Sequence, residues 1–344
     1  MSEKNKHISL SIILAVSRLD ELFTCLSAFS TQSTDGFEVI MVVDPGGKFT
    51  LNQEHYNFPA LICEADSKHP SRKRNIGVSK ARGDLIAFID DDVVVSESWV
   101  GNMKELLFQY PQAIIGGPNR DARAEFKYLL AQSTQEHPLL EGLTSHKQLN
   151  LDHIEVGIHD LPLCNLAMKK ISFTRIGGFN EVATYYVDDV EFHYIAKKLG
   201  IKLLQFKKLE VQHNIRPAFR NYLKYKFNTR KKIGEIYLYF PELYQDSLLI
   251  KLIFLSYIII PLLFLLFLFK PMPLAITGLA YIFLLYATAL SWRKNKIIFM
   301  IMPMYVFVTQ ALSYSGFTYG LLKSLLTLDN RHVVFSEKVR RYNV

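Results

Sequence analysis

Three adjacent aspartates follow a short apolar run in this sequence, which reads Phe88-Ile89-Asp90-Asp91-Asp92. Three neighbouring carboxylates repel one another, and the repulsion raises their pKa values unless a cation lies nearby. A hard divalent ion bound by carboxylate oxygens removes this repulsion and can hold a diphosphate at the same time. The motif therefore predicts a site for Mg²⁺ or Mn²⁺ on Asp90 and Asp92, and a solvated acidic turn is the alternative.

Two further features upstream predict contacts to a phosphorylated nucleoside. The basic segment Ser71–Gly77 contains Arg74, and arginine beside a metal site suits phosphate binding. The alternative for this segment is a solvated helix face. Asp44 follows an apolar run and precedes Pro45, so it either hydrogen-bonds a base or ribose or simply starts a turn.

A second pair of carboxylates, Asp188 and Asp189, opens a predicted helix that Gly200 closes. Acidic residues stabilise a helix N-terminus, so capping is one explanation. The other is catalytic, because a carboxylate placed there can act as the general base that deprotonates an acceptor hydroxyl. The glycine-rich segment Gly177–Glu181 predicts a flexible turn beside the same site.

His213 and the following stretch, Asn214–Lys232, combine a candidate metal ligand with a basic and aromatic segment. A lone histidine is more often structural, but His213 is included with Asp90 and Asp92 in the predicted metal site. Basic residues of the stretch, Arg230 among them, suit a pyrophosphate or an anionic lipid surface. Arg230 is therefore predicted to bind substrate, and nucleic acid is not an expected partner.

Strands and helices alternate before residue 246, which predicts a largely parallel, doubly wound α/β sheet. In such sheets, ligands bind beyond the carboxyl ends of the strands, where Asp44 and the three aspartates fall. The predicted strands are Ile8–Ala15, Phe37–Val43, Leu85–Ile89 and Lys202–Phe206, and the predicted helices are Leu19–Phe29 and Ser71–Ala81.

Three long apolar segments follow residue 246: Leu249–Phe269, Leu274–Trp292 and Ile297–Leu322. A bilayer core needs about 20 apolar residues in a helix, and the first two segments have that length. They predict C-terminal transmembrane helices, with buried helices of a soluble domain as the alternative. The third segment contains Pro303 and is predicted either to span, to dip in and return, or to lie in the interface.

The predicted organisation is a catalytic domain over residues 1–240, a membrane region over 241–326 and a basic tail over 327–344. The basic loop Arg293–Lys296 predicts a cytoplasmic position for that loop and for the catalytic domain. The tail would lie outside if the third segment crosses fully, and a cytoplasmic tail is the favoured alternative. The expected location is thus the cell membrane, crossed more than once.

The composition agrees with an anionic partner, since the 344 residues carry a formal net charge of +8. The cysteines Cys25, Cys63 and Cys164 are widely spaced and form no CxxC pair. This pattern argues against a disulfide framework and against a zinc site.

Taken in order, these motifs resemble those of the family 2 glycosyltransferases of the membrane-anchored bacterial or archaeal type, over roughly residues 8–235. Phe88–Asp92 is similar to the family's DxD motif, and Val43-Asp44 to its nucleoside-contacting strand end. Cys164–Met168 and Gly177–Glu181 resemble the strand and turn on the acceptor side. Asp188-Asp189 resembles a Glu-Asp pair whose second member is the base. The resemblance implies the GT-A fold, which is Rossmann-like.

Three departures from the family's pattern concern mainly the nucleotide. The loop after the first strand is Ala15-Val16-Ser17-Arg18 instead of a Pro-x-x-Asn type, Pro45 replaces a second aspartate, and Asp188 replaces the glutamate. The Gln-x-x-Arg-Trp motif of processive synthases has no counterpart, so a single transfer per binding event is expected.

The resemblance implies an inverting transfer of a sugar from a nucleotide-diphosphate sugar, with UDP favoured, in cell-surface glycan synthesis. Asp189 would be the base, and Asp44, Arg74, Asp90, Asp188 and Arg230 would bind substrate. The acceptor would be a glycan or a polyprenyl-linked molecule near membrane lipid. Two alternatives stay open: a metal-dependent nucleotidyltransferase of related fold, and a non-catalytic membrane scaffold with a degenerate transferase domain.

Overall fold

The structure, a computed structural model, describes residues 8–47, 55–121, 153–158, 160–181, 188–213, 219–237, 255 and 296–327. These residues belong to two compact units. Described residues from 8 to 213 form the first unit, and those from 219 onward form the second.

Among the described residues of the first unit, eight strands form one sheet in the order β3-β2-β1-β4-β9-β6-β10-β8. The pairs β3–β2, β2–β1, β1–β4 and β6–β10 are parallel, whereas β9 runs antiparallel to both β4 and β6. A short second sheet has the order β5-β11-β7. The strands are β1 (Leu10–Ala15), β2 (Phe37–Val43), β3 (Ala60–Glu64), β4 (Leu85–Ile89), β5 (Val93–Val94), β6 (Ile114–Gly116), β7 (Asn119–Asp121), β8 (His153–Glu155), β9 (Asn165–Lys169), β10 (Leu203–Phe206) and β11 (Val211–His213).

Helices cover both faces of the main sheet, and the side chains of each strand alternate between two hydrophobic cores. In β1, for example, Ile12 and Leu14 face one core and Ile13 faces the other. The first core is covered by α1 (Leu19–Ser30) and α3 (Trp99–Gln109), and the second by α2 (Pro70–Lys80), α4 (Lys170–Ile176) and α5 (Asp188–Lys198). The predicted α/β fold with a mostly parallel sheet is confirmed, and it fits the GT-A architecture.

Helix α2 is the element that carries basic side chains toward the ends of the strands. It begins with Pro70 at its first position, where a missing amide proton costs nothing, and His69 caps it by accepting from the Ser71 amide. Gly77 lies so close to Ile13 of β1 that a Cβ atom there would overlap the isoleucine side chain. This contact presses the inner face of α2 onto the sheet, so that Lys73 and Arg74 are buried.

Within its described residues, the second unit has two long helices, α6 (Phe219–Tyr237) and α7 (Lys296–Thr327), which pack closely against each other. Glycines lie at the contact: Gly234 meets the backbone of α7, and Gly316 and Gly320 meet the backbone of α6. Near the same contact, Glu235 pairs with Lys323 across the helices at 2.9 Å.

The apolar segments Leu249–Phe269 and Leu274–Trp292 lie outside the described residues, apart from Leu255. The third, Ile297–Leu322, forms part of the continuous helix α7 and does not dip and return. Within the part of the chain that is described, no helix combines the length and apolar character needed to cross a bilayer.

Candidate active site

The carboxyl ends of the parallel strands β1, β2 and β4 meet at one edge of the sheet, as the sequence predicts. Each end delivers polar residues: β1 leads into Ser17 and Arg18, β2 into Asp44, and β4 into Asp90. Strand β9 runs the other way, and its first residue, Asn165, pairs with Ile89 at the end of β4. The residue before β9, Cys164, therefore belongs to the same edge.

Arg18 neutralises two of the three adjacent aspartates. Its guanidinium lies 3.0 Å from Asp91 Oδ1 and 2.7 Å from Asp92 Oδ2, and both carboxylates are 2% exposed. Asp91 also accepts hydrogen bonds from the backbone amides of Ser17 and Arg18, each at 2.7 Å. Asp91 therefore ties the loop after β1 to the loop after β4.

Two side chains of α2 engage the remaining acidic groups at this edge. The Lys73 ammonium donates to Asp44 Oδ1 at 2.6 Å and to the Val16 carbonyl at 2.7 Å. The Arg74 guanidinium donates to Asp90 Oδ1 at 2.9 Å. The alternative of a solvated helix face is wrong for these two residues, because α2 turns them toward the sheet.

His213 is held beside the aspartates by the pairing of β11 with β5, which places it opposite Val93. Its Nε2 atom lies 3.2 Å from Asp92 Oδ1, and its Nδ1 atom lies 3.9 Å from Cys164 Sγ. Burial disfavours the charged imidazole, but hydrogen bonds with Asp92 and Cys164 outweigh it and raise the pKa of His213 to about 11.

The pKa of Asp92 changes in the opposite direction from the one that mutual repulsion predicts. Burial alone would raise it, but the hydrogen bond from His213 and the charges of His213 and Arg18 lower the pKa of this carboxyl below its usual value. Raised pKa values are expected only without a nearby cation, and Asp92 has two, Arg18 and His213. The protein itself supplies the cations that stabilise the carboxylate.

Three possible metal ligands come together here: a carboxylate oxygen of Asp90, the sulfur of Cys164 and a ring nitrogen of His213, all within 4.8 Å of one another. Two of them, Asp90 and His213, belong to the predicted metal site. The third predicted member, Asp92, lies behind His213 and contacts Arg18. These donors fit a divalent cation, and whether Asp92 also binds it directly stays a prediction.

The Cys164 side chain is positioned by polar neighbours on both sides. The Asn119 amide donates to Cys164 Sγ at 3.3 Å. The next residue, Asn165, is fully buried, accepts from the Trp99 indole at 3.1 Å and donates to the Leu209 carbonyl at 2.6 Å. The spacing argument against a zinc site considers only cysteines close in sequence, so it does not detect this cysteine beside a distant histidine.

The predicted catalytic residue Asp189 lies in the first turn of α5, and its carboxylate accepts from the Val190 amide at 2.8 Å. Glu191, two residues further along α5, is buried and accepts from the Asn180 amide at 2.8 Å. The role of Asp189 as a base stays a prediction. Asp188 begins the helix, but its side chain is outside the described part of the chain.

The glycine-rich segment before α5 is held against α2 by hydrogen bonds and an ion pair. Asn75 accepts from the Phe179 amide at 3.0 Å and donates to the Phe179 carbonyl at 2.9 Å. Glu181 accepts from Asn75 at 2.8 Å and pairs with Arg72 at 3.2 Å. Gly177 and Gly178 adopt positive φ angles of 88° and 69°, which explains the choice of glycine.

Arg230 lies on α6 in the second unit, so its predicted contact with substrate stays a prediction. Four residues of this edge were not predicted as site residues: Arg18, Lys73, Asp91 and Cys164. Arg18 could have been noticed from the sequence, because it lies in the loop that departs from the family's pattern. Lys73 gave a weaker indication, because it only adjoins Arg74 in the basic segment.

The sequence of this region resembles those of known glycosyltransferases. Residues 12–174 match the family model described as Glycosyl transferase family 2. A curated relative from Haemophilus influenzae, named "Uncharacterized glycosyltransferase", is 27% identical over 192 residues, which cover 53% of this chain and 60% of the relative. The crystal structure of S. aureus TarS aligns with a TM-score of 0.45 at 13% identity, covering 67% of this chain and 40% of that one.

Most of the α/β sheet and the acidic strand ends thus lie in a region that is similar to a recognised transferase family. Residues 12–174 are similar to glycosyltransferase family 2. The match spans 60% of the length of the Haemophilus influenzae protein and 40% of TarS.

Proposed function

We propose that this protein is an inverting glycosyltransferase, which moves a sugar from a nucleotide-diphosphate sugar, with UDP favoured, to an acceptor hydroxyl. The observation that carries the proposal is the edge of the sheet in a family 2 domain, where Asp44 and Asp90 lie at neighbouring strand ends. Each of these carboxylates is oriented by a buried cationic side chain of α2, Lys73 for Asp44 and Arg74 for Asp90.

Donor binding would divide between these two carboxylates. Asp44 would accept hydrogen bonds from the nucleoside, because Lys73 holds its Oδ1 atom while the side chain remains 30% exposed. Arg74 and Asp90 would face the diphosphate. Arg74 supplies a permanent positive charge, and such charges lower the barrier where negative charge develops on a leaving group.

A divalent ion such as Mg²⁺ or Mn²⁺, held by Asp90 and His213, would supply additional positive charge against the diphosphate. Asp92 supports this arrangement through its 3.2 Å contact with the His213 ring. Arg18 pairs with Asp91 and Asp92 and so offsets part of the negative charge of the three carboxylates.

Asp189 would remove the proton of the acceptor hydroxyl, which attacks the anomeric carbon on the face opposite the diphosphate. Asp188 and Arg230 would contribute to substrate binding. The position of Asp189 in the first turn of α5 supports this role, because helix N-terminal backbone amides keep a carboxylate ionised and able to accept a proton.

The proposed acceptor is a glycan or a polyprenyl-linked molecule at the membrane, in the synthesis of cell-surface glycans. Support comes from the sequence, in which the apolar segments Leu249–Phe269 and Leu274–Trp292 have the length of membrane spans. The basic loop Arg293–Lys296 would then place the catalytic domain in the cytoplasm.

The test is turnover of a panel of nucleotide sugars by the full chain, with and without Mn²⁺. The proposal predicts release of a nucleoside diphosphate. In Asp189→Asn, turnover should fall by about 10²–10⁴, the usual effect of losing a general base. Donor affinity and melting temperature should stay close to the wild-type values. Glu97→Gln, at an exposed position of the same unit, is the control.

Three results would count against this function. Release of a nucleoside monophosphate would instead indicate a nucleotidyltransferase. Failure of every donor to bind, with or without metal, would favour a non-catalytic scaffold. Wild-type turnover in Asp189→Asn would show that the base lies elsewhere.

A further inference from the structure

Helix α2 contacts two parts of the first unit that the proposed reaction needs together. One of its residues, Arg74, orients the carboxylate of Asp90 at the donor site. The next residue, Asn75, contacts the segment Gly177–Glu181, which precedes α5. Helix α5 carries Asp189, the proposed base. Neighbouring residues of one helix therefore contact the donor side and the base side of the reaction.

The side-chain amide of Asn75 holds the backbone of this segment. Its oxygen accepts from the Phe179 amide at 3.0 Å, and its nitrogen donates to the Phe179 carbonyl at 2.9 Å and to Glu181 Oε1 at 2.8 Å. Among side chains of this length, only asparagine offers one acceptor and two donors, because aspartate in its ionised form has no donor. The Glu181 carboxylate is also held by Arg72 of α2 at 3.2 Å.

The same segment is fixed to α5 by two contacts. The Asn180 side chain donates to Glu191 at 2.8 Å, and both residues are buried. The ring centroids of Phe179 and Phe192 are 4.5 Å apart, and both rings are buried as well. Glu191 and Phe192 follow Asp189 directly along α5, so these contacts hold the turn of the helix in which Asp189 lies.

Helix α2 is held to the sheet by contacts that do not involve Asn75. Gly77 packs against Ile13 of β1, and Lys73 and Arg74 form ion pairs at 2.6 Å and 2.9 Å. Loss of the Asn75 side chain would therefore release the segment before α5 and leave the donor carboxylates in place. Such a change affects the reaction step, because a displacement of about 1 Å between reacting groups can lower a rate about 10²-fold.

We propose that Asn75 and Asn180 are positioning residues, which together fix the first turn of α5, and with it Asp189, relative to the donor site. In this role neither asparagine contacts the reacting atoms. Asn75 holds the backbone of the intervening segment against α2, and Asn180 connects that segment to Glu191 of α5. The effect on catalysis rests on the proposed function, whereas the physical link between the two helices does not.

The experiment compares Asn75→Ala with Ser11→Ala in the full chain. Ser11 is fully buried, accepts from the Gly83 amide at 2.9 Å and donates to Glu38 at 2.7 Å. It lies near the start of β1, at the opposite end of the strand from the site. In Asn75→Ala, kcat should fall about 10–10²-fold, while the donor Kd stays close to the wild-type value. In Ser11→Ala, only the melting temperature should fall.

Hydrogen exchange measures the link between the helices without any turnover. Peptides that cover Asp188–Lys198 should exchange faster in Asn75→Ala and in Asn180→Ala than in wild type, and at the wild-type rate in the control variant. Arg72→Gln should give a smaller change in the same direction, because it loosens the same segment only at Glu181. The Arg72 side chain is 37% exposed, so this variant keeps the test valid if an asparagine variant does not fold.

Two results would overturn the proposal. One is unchanged exchange of α5 in Asn75→Ala, and the other is a loss of kcat that Ser11→Ala reproduces at an equal fall in melting temperature. A loss of donor affinity as large as the loss of kcat would also count against it, because Asn75 would then belong to the donor site. Wild-type turnover in Asp189→Asn, together with faster exchange of α5 in Asn75→Ala, would remove the base and keep the link.

Discussion

Replacing Lys73 by methionine tests how the strand-end site is assembled. The Lys73 side chain is 2% exposed, and its ammonium group donates to Asp44 Oδ1 at 2.6 Å and to the Val16 carbonyl at 2.7 Å. Methionine has a similar length and fills the same space, but it donates no hydrogen bond. The substitution therefore removes a charge and two hydrogen bonds and leaves the packing of α2 largely intact.

The expected loss of stability follows from the two acceptors that remain. A buried carbonyl left without a donor costs about 1–3 kcal/mol. Breaking a fully buried ion pair costs about 3–5 kcal/mol, but Asp44 is 30% exposed and can regain water. We therefore expect a total loss of about 2–4 kcal/mol, within the range of these two effects. For a domain of this size, that corresponds to a fall in melting temperature of roughly 5–12 °C.

The assay is the melting temperature of the full chain, followed by circular dichroism, with Lys80→Met as the matched control. Lys80 lies on the exposed side of the same helix, so its replacement should change stability by less than about 0.5 kcal/mol. Asp44→Asn in both backgrounds completes a double-mutant cycle. Lys73→Met should cost less when Asp44 is already replaced, because part of its effect is the pair itself.

Two results would refute the reasoning. A melting temperature of Lys73→Met within the error of the Lys80→Met value would show that the buried contacts contribute nothing. Strict additivity of the two substitutions would show that Lys73 and Asp44 act independently. A third measurement, donor affinity, should fall together with stability in Lys73→Met if Asp44 contacts the nucleoside.

Three further predictions concern the C-terminal half of the chain. Burial raises the pKa of Glu235, but the hydrogen bonds and charges of Lys323 and Lys232 outweigh it and lower this pKa below the usual value of 4.5. The two ion pairs therefore stabilise the folded chain fully above pH 4.5. This stabilisation disappears as the pH falls through the lowered pKa. The melting temperature of wild type should therefore exceed that of Glu235→Gln at pH 7, and equal values would contradict this. Gly320→Ala should destabilise the chain by about 1–3 kcal/mol through overlap with the Lys231 carbonyl, although alanine usually favours helices; a higher melting temperature would disprove the contact. A cysteine at position Asn295 should resist membrane-impermeant reagents in intact cells, and rapid labelling would reverse the proposed topology.

Much of the first unit follows from local sequence. The predicted strands Phe37–Val43 and Leu85–Ile89 have the observed bounds, because each is a mostly apolar segment that stops where polar residues begin. Helix α2 differs from its predicted range by one residue at each end, since Pro70 suits the first helical position. The sequence also predicts that Asp44 and Asp90 lie at the same edge of the sheet, because the carboxyl ends of parallel strands lie on the same side.

Only the tertiary structure decided which side chains complete that edge. The basic residues Arg72, Lys73 and Arg74 are consecutive in α2, so periodicity could not show which of them face inward. The close approach of Gly77 to Ile13 decides it. The contact of Arg18 with the aspartates could not be predicted from local sequence either. Arg18 is 73 residues from Asp91 along the chain, and its role depends on the pairing of β1 with β4.

Cys164 and His213 show the same limit most clearly. They are 49 residues apart, and neither stands in a local motif for metal binding. Their meeting depends on the antiparallel strand β9 and on the second sheet, and both are formed by contacts between residues far apart in sequence. Local sequence determines which backbone segments become strands and helices. The pairing of those strands determines which side chains share a site, because that pairing is set by the burial of the whole core.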